Sequence, residues 1–564
     1  MDVRRFKSDY SGAFSCIDKS HPYYHLNTGL FELPLSRDVG IDAYVYIPQA
    51  TTNSCWSVTL LLQSGVAPVA FLQDSGWKEV ADREKVVVFL AKPKQGSWLD
   101  LESPISAIEE LRSRVDVRDH YVTQVFFAYL AGYGDGAEAA LRYTMKHPEA
   151  YAGVACVGNW DDGAADYDAL ASQGISLLPY EPASAVPVPV YFSVKESGYS
   201  FVRAFDHFVR RNGCGVSSES NGRRYAPACL RYANDAINAQ SVADVVADVS
   251  RFASLSSFEA TDALWEQLHR TIRTTGVGPG GLHSFKTLDE LGITTHGKVV
   301  DGWTRHWCEY VPHRNVSRND KLPVVVFFHG GTQVAESGLY GAEWFNVAES
   351  RDFIALFPSG GIAQSRMNAN PMPTWNISCE TELYLDDEAF IRAMIADVER
   401  RLPVDRSRIY ATGHSMGSGM TQRCLMSMPD IFAAGVSNSG VVLGSYELPG
   451  VDDSLDVATW IEIGEHDVDS CDLSNSPRVK TNIEYWIARG ELDSLEDAGE
   501  FQCGRYLNKE WRNANGVPLL RYTAALDKNH AVMPQDAWSY YDDFMCKFSR
   551  LEDGTLCYLG KPVR

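Results

Sequence analysis

The sequence predicts an α/β protein of two tandem domains, each a mostly parallel sheet flanked by helices. Three observations carry this. The 564 residues exceed what one ordinary core holds. Short apolar runs alternate with stretches of helical spacing, as strand–helix–strand units require. Landmarks of the second half recur in order in the first. "AYVYIPQ" (Ala43–Gln49) parallels "CEYVPHR" (Cys308–Arg314), "VTLLLQSGVAP" parallels "VVVFFHGGTQV", and "GYGDGAEAALRYTMKHPEAYAGV" parallels "GHSMGSGMTQRCLMSMPDIFAAG" without a gap. The expected layout is a first domain over 1–265, a linker over 266–290 and a second domain over 291–564.

"SFEATDALWEQLHR" reads as a helix that closes the first domain. "TTGVGPGGLHSF" holds Gly276, Gly278 and Gly281 in a G-x-G-x-x-G spacing, but no strand precedes it and a proline interrupts it, so it reads as linker rather than dinucleotide loop. "TTHGKVVDGW" starts the next strand. "KLPVVVFFHGGTQ" gives a buried strand, Val324 to Phe328, that runs into His329-Gly330-Gly331-Thr332. Apolar residues at Phe390, Ile391, Met394, Ile395, Val398 and Leu402 mark a helix, "RIYATG" a short buried strand, and "MGSGMTQRCLMSM" a helix stopping near Pro429. A strand from Ala458 to Ile463 ends at Gly464. Another ends near Leu526, and an amphipathic helix is expected to close the chain.

These elements place Ser415, within Gly413-His414-Ser415-Met416-Gly417, at a sharp strand-to-helix turn. Glycines on both sides let backbones approach, and the turn exposes the serine oxygen. Acyl transfer also needs donors for a developing oxyanion, and the backbone N–H groups of Gly331 and Met416 suit that role. The acid and the base should follow, each just past a strand. Asp467 fits the first slot, with Asp469 as competitor, and His530 the second, with His414, His466 and His329 as rivals. Ser415 would attack a carbonyl, His530 would move the proton and Asp467 would orient the imidazole, with no cofactor and no metal required. Trp375, Thr332 and His414 are candidate substrate-binding residues, and Trp344 is a further aromatic that could stack on an acyl group or fill the core.

The balance of 51 basic against 73 acidic residues, net −22, repels nucleic acid and anionic membrane surfaces. The expected partner is a small-molecule ester, with a homo-oligomer compatible with the composition. The N-terminal stretch has no apolar run long enough for a signal peptide and no run reaches membrane-spanning length, which predicts a cytoplasmic protein, or a secreted one if a leader has been removed. Twelve cysteines without a C-x-x-C pair argue against zinc-ribbon and thioredoxin readings, and His21 with His25 lacks the companions of a metal site.

"LDDEAFIRAMIADVERRLPVDRSRIYATGHSMGSGM", "MPDIFAAGVSNSG", the "HGG" loop and "TWNISC" resemble polyhydroxybutyrate depolymerase-type esterases, the group that includes feruloyl esterases of carbohydrate esterase family 1. The similarity spans about Gly297 to Phe548. It implies an α/β-hydrolase fold, a triad on Ser415, Asp467 and His530, and hydrolysis of hydroxycinnamoyl or 3-hydroxyacyl esters. Two departures concern the substrate: family members often carry a Cys where Gly331 stands and an aromatic where Val532 stands.

The internal repeat exposes what the first copy lacks. Its alignment sets Ser415 on Gly134, Asp467 on Gly198, His530 on Gln240 and His329 on Gln63. Glycine cannot attack a carbonyl and glutamine is no general base near neutral pH. The expectation is therefore a serine esterase in the second domain beside a degenerate first domain. A hydroxyalkanoate oligomer depolymerase, a serine peptidase on the same triad and a non-enzymatic binding protein are the alternatives.

Overall fold

The computed structural model describes residues 1–6, 19–20, 27–49, 56–115, 120–121, 123–158, 166–174, 183–194, 201–219, 222–227, 243–248, 257–274, 281–313, 320–365, 368–377, 385–442 and 449–564. His21, His25, Gly198, Gln240, Gly276 and Gly278 lie outside these residues. The chain divides into two units, one of Met1–Ser11 and Tyr23–Lys286, the other of Gly12–Pro22 and Thr287–Arg564.

The first unit is built on strands β1 (Val3–Arg4), β2 (Gly29–Glu32), β3 (Ile41–Ile47), β4 (Ser57–Leu61), β5 (Val87–Pro93), β6 (Ala128–Tyr133), β7 (Gly153–Val157), β8 (Val190–Ser193), β9 (Cys214–Glu219), β10 (Gly222–Pro227) and β11 (Val245–Asp248). They form one sheet in the order β1-β2-β3-β5-β4-β6-β7-β8-β11-β10-β9. The strands from β5 to β11 in this order run parallel; β3 is antiparallel to β2 and β5 on one side, β10 to β11 and β9 on the other, and β1 pairs parallel with β2 at the edge. Central strands such as Val87–Ala91 are buried on both faces, which is why they read as unbroken apolar runs rather than alternating ones.

The stretch 266–290, expected as a linker, is in part structured. The helix Phe258–Leu268 ends inside it, and β12 (Thr271–Arg273) pairs with β13 (Leu282–Ser284). Arg273 explains the docking: its guanidinium donates to the carbonyls of Tyr151 and Pro187, both at 2.6 Å. Thr271 donates to the Ala152 carbonyl at 2.8 Å. Polar anchors of this kind leave no trace in a glycine-and-proline reading.

The second unit holds β14 (Ile293–Val300), β15 (Trp303–Tyr310), β16 (Leu322–Phe328), β17 (Ile354–Pro358), the hairpin β18 (Gly361–Ser365) and β19 (Asn368–Thr374), then β20 (Val404–His414), β21 (Ala434–Asn438), β22 (Ala458–His466), β23 (Gly499–Cys503), β24 (Tyr506–Arg512) and β25 (Pro518–Asn529). Its main sheet runs β14-β15-β17-β16-β20-β21-β22-β25-β24-β23. Position for position, this is the order of the first sheet from β2 onward, with the same parallel and antiparallel senses. The chain ends on a three-stranded sheet, β26 (Phe548–Arg550), β27 (Leu556–Tyr558) and β28 (Lys561–Pro562), not on the expected helix. After His530 the α-helix Pro534–Ser539 continues as a π-helical segment, Tyr540–Phe544, and a 3-10 turn, Met545–Lys547, and the turn at Asp553-Gly554, with Gly554 at φ +89°, then closes a hairpin. Buried Arg550 ties that sheet down through the carbonyls of Phe432 and Asp456.

Strand register refines the internal alignment. Leu61 pairs with Gly132 as Phe328 pairs with Gly413, so Leu62, not Gln63, corresponds to His329, and Ser64 corresponds to Gly331. The indole nitrogens agree: Trp98 donates to the Leu62 carbonyl at 2.8 Å and Trp375 to the His329 carbonyl at 2.9 Å. Ser193 beside Asp248 matches Glu462 beside Thr523, while Gln240, which the sequence match set on His530, lies outside the described residues.

Candidate active site

Ser415 ends β20 and caps the helix Met416–Ser427 with φ +56° and ψ −116°, a conformation costly for a residue with a Cβ and held by its surroundings. Two glycines make the turn sterically feasible. A Cβ on Gly413 would stand 2.4 Å from the Gly417 carbonyl oxygen, and one on Gly417 would stand 2.0 Å from that of Phe328. The helix start can press onto the end of β16 only because neither carries a side chain. The Ser415 N–H donates to the Asn438 carbonyl at the end of β21, at 2.9 Å. In the first unit Gly134 occupies the same turn with φ +59° and ψ −123°, and a Cβ on Gly136 would stand 2.3 Å from the Leu61 carbonyl oxygen.

Two hydrogen bonds link the side chains the sequence singled out. His530 Nε2 lies 2.9 Å from Ser415 Oγ, and His530 Nδ1 lies 2.6 Å from Asp467 Oδ1. With Asp467 ionised, Nδ1 carries the proton and donates to the carboxylate, which leaves Nε2 to accept from the serine hydroxyl. The Asp467 side chain is 2% exposed, that of His530 35%. Burial alone would raise the Asp467 pKa. The hydrogen bond and charge of His530 and the Val468 N–H outweigh it and hold the carboxyl at about 2. Asp469, the competitor, is instead paired with Arg478. His414 is buried with its ring 4.9 Å from that of His530, packing against the base. His466 is exposed and stands at the end of β22.

The loop after β16 is fixed from within. His329 is buried, and burial lowers its pKa to about 4, so the ring is neutral near pH 7. Its Nε2 accepts the Gly360 N–H at 2.8 Å, so Nδ1 bears the hydrogen and donates to the Gly330 carbonyl at 2.7 Å. The Gly330 N–H donates to Gln333 Oε1 at 2.9 Å and the Thr332 N–H to the Pro373 carbonyl at 2.8 Å. Both amides flanking Gly331 are therefore committed elsewhere. A Cβ on Gly331 would lie 3.4 Å from Met416 Cε, so the two expected oxyanion donors belong to adjoining residues.

The candidate substrate-binding residues fare differently. Thr332 has φ +61°, is buried, and donates its hydroxyl to the Gly331 carbonyl at 2.6 Å, which makes it part of the loop's own bracing. Trp375 is 2% exposed, edge-on to Phe328 and bonded to the His329 carbonyl. It supports the loop from beneath and leaves almost no face on which an acyl group could stack, which replaces the expected platform. Trp344 is also buried.

What the sequence reading missed lies under the histidine. Lys528 is fully buried, with Nζ donating to Glu462 and, at 2.8 Å, to Asp536 Oδ2, both buried. The signal was visible as a lysine two residues before the base, but lysines near strand ends are ordinarily exposed. Among the described residues, Glu465, His466 and Asp527 also bring donor atoms within 4.8 Å of one another. All three are exposed, and the Asp527 N–H donates to Glu465. No described helix is long and apolar enough to cross a membrane.

Residues 307–501 match the family model Esterase PHB depolymerase. The chain is 25% identical over 240 residues to the poly(3-hydroxyalkanoate) depolymerase C of Paucimonas lemoignei, covering 37% of this chain and 55% of that protein. It is 27% identical over 140 residues to the acetylxylan esterase A of Emericella nidulans, covering 24% of this chain and 42% of that protein. The chain thus spans about half the length of these curated relatives. Among solved structures, an acetyl xylan esterase from Aspergillus awamori aligns over 44% of this chain and 98% of its own, with a TM-score of 0.32 and 17% identity. The stretch matched by the Esterase PHB depolymerase model holds Ser415 and Asp467 and ends before His530.

Proposed function

We propose that the second unit is a serine hydrolase of carboxylic esters. The observation that carries this reading is the relay Ser415–His530–Asp467, with its 2.9 and 2.6 Å links. Ser415 Oγ attacks the ester carbonyl carbon while its proton passes to His530 Nε2. The oxygen that gains the negative charge is held by the N–H groups of Gly331 and Met416, the latter at a helix N-terminus where the dipole also favours an anion. Collapse of the tetrahedral species breaks the carbonyl-carbon–alkoxy bond, and the alkoxide leaves with the proton from His530. A water then attacks the acyl-enzyme, again with His530 as base, and collapse returns the proton to Ser415 Oγ and frees the acid.

For the acyl group, buried Trp375 offers almost no face on which a hydroxycinnamoyl ring could stack. The activities named for the relatives, on a poly(3-hydroxyalkanoate) and on acetylated xylan, support short 3-hydroxyacyl or acetyl esters. The reading of the first unit as a non-catalytic copy rests on Gly134 at the nucleophile position and on Asp135, whose carboxylate accepts the N–H groups of Trp98 at 2.9 Å and Ser64 at 3.3 Å. Ser64 corresponds to Gly331, so the matching donor already holds an anion.

The test is hydrolysis of p-nitrophenyl acetate, a 3-hydroxybutyrate trimer, methyl ferulate and an aminoacyl anilide by wild type and Ser415→Ala. Cleavage of the first two, falling about 10³-fold or more in the variant, is expected from loss of the nucleophile. Full activity in Ser415→Ala overturns the mechanism, and preferential cleavage of the anilide overturns the ester assignment.

A further inference from the structure

His530 stands just past a distortion of the sheet. Gly464 pairs with Ala525 and His466 with Asn529, so two steps along β22 match four along β25, and the surplus residues bulge outward before the base. Bulges redirect a side chain, but the longer strand gains freedom that has to be removed. Asp527, in the bulge, has φ +52°. The bulge backbone presses on β22, since a Cβ on Gly464 would stand 2.4 Å from the Lys528 carbonyl oxygen. The Ala531 N–H then donates to the Asn529 carbonyl at 2.8 Å, closing a tight turn with His530 at its centre.

One residue of the bulge points inward. Lys528 runs into the interior with no exposed side-chain surface, and its ammonium sits between Glu462 of β22 and Asp536 of the helix Pro534–Ser539. Tyr506 of β24 donates to the other oxygen of Asp536 at 2.5 Å. Tyr540, in the π-helical continuation of that helix, accepts from Asn438 Nδ2 at 2.6 Å and faces Glu462. Asn438 is the residue whose carbonyl holds the Ser415 N–H. The cluster thus joins the strand that leads to Asp467, the turn that bears His530 and the residue beneath Ser415. A fully buried ammonium is costly unless it is paired, so the bulge keeps its shape only while Lys528 stays between these carboxylates.

We propose that Lys528, clamped by Glu462 and Asp536, is a positioning residue that fixes the β25 bulge and thereby sets His530 against Ser415 and Asp467. The proposal rests on the hydrolase reading above. The clamp is also graded with pH. Burial, opposed by Lys528 and reinforced by Asp536, raises the Glu462 pKa to about 7. The groups facing Glu462 are Lys528 from β25, Tyr506 from β24, Asp536 from the helix and Tyr540 from its π-helical continuation, with neutral Asn438 on β21. Below pH 7 Glu462 becomes a neutral acceptor and grips the ammonium less tightly.

The test uses the full chain and p-nitrophenyl acetate, with Ser415→Ala as control. Lys528→Met is expected to lower kcat about 10- to 100-fold with KM changed less than about threefold, the pattern of a misplaced base rather than a lost binding contact. Glu462→Gln, which keeps an acceptor of the same shape, mimics the protonated carboxyl. The ratio of wild-type to Glu462→Gln kcat is expected near one at pH 5.5, rising to about fivefold at pH 8. A merely structural role would move stability without a pH-graded ratio. If Lys528→Met folds and keeps wild-type kcat while Ser415→Ala is inactive, the clamp is wrong and the hydrolase reading stands. If Lys528→Met does not fold, Glu462→Gln decides, and a ratio constant across pH overturns the clamp. Activity surviving in Ser415→Ala overturns both.

Discussion

At Asp467 two demands meet in one carboxyl: it must be buried to orient His530 and yet remain charged. Donation from His530 and from the Val468 N–H achieves this, and the resulting pKa of about 2 has a thermodynamic consequence. A depressed pKa contributes stability that is present above the unfolded value, 3.8, and lost as pH falls from about 4 toward 2. At 1.36 kcal/mol per pH unit, the contribution is about 2 kcal/mol at neutral pH. Urea unfolding of wild type and Asp467→Asn should therefore differ most at pH 7 and converge below pH 4; a gap independent of pH would show that the carboxylate charge is not what stabilises. Catalytically, Asp467→Asn is expected to lower kcat/KM by about 10²- to 10⁴-fold while Asp469→Asn stays within about threefold, because Asp469 serves Arg478 and not the base. The reverse order would reinstate Asp469 as the acid.

The elements that carry this chemistry were legible to different degrees for definite reasons. The β16, β20 and β22 strands and the helices flanking β20 announced themselves, because a strand buried on both faces reads as an apolar run and an amphipathic helix as a 3.6-residue repeat. The turn at Ser415 was readable because close backbone approach tolerates only glycine at Gly413 and Gly417. The bulge in β25 was not, since its proposed anchor pairs Lys528 with buried Asp536 nearby and with buried Glu462 on a strand 66 positions earlier. The closing sheet was missed for a similar reason: its anchors are hydrogen bonds from Arg550 to distant carbonyls. Trp375 carried an ambiguity that composition cannot remove, as a tryptophan beside a site can face substrate or brace a loop from below. The elbow offers the sharpest test at this scale. Gly417→Ala puts a methyl 2.0 Å from the Phe328 carbonyl oxygen, so the helix must lift away from β16. It is expected to cost about 2–4 kcal/mol and abolish labelling of Ser415 by a fluorophosphonate, in thermal unfolding and mass spectrometry respectively. Unchanged unfolding would mean that the turn is looser than its geometry requires.

Across the whole molecule, two units share a strand order, an elbow conformation and an indole bond beneath the loop after the first parallel strand, yet only one presents a serine at the elbow. The difference is more than one missing hydroxyl. In the first unit the Asp135 carboxylate occupies the Ser64 N–H, the counterpart of the proposed oxyanion donor, and the Gln63 side chain lies 2.9 Å from where a Cβ on Gly134 would stand. A serine introduced there would meet a fixed negative charge where a developing oxyanion needs donors, and like charges at that distance repel. Restoring the nucleophile alone should therefore restore nothing. A fluorophosphonate is expected to label wild type at one site per chain, Ser415, and to label neither Ser415→Ala nor the double variant Ser415→Ala/Gly134→Ser, as read by intact-mass spectrometry. Adding Asp135→Met to the double variant frees the Ser64 amide and separates two causes of silence. If labelling returns only then, the carboxylate was the block; if it stays absent, the missing base is limiting. Labelling of the Gly134→Ser double variant itself would show that the first unit keeps a competent base and donor, and that its silence is a single substitution deep.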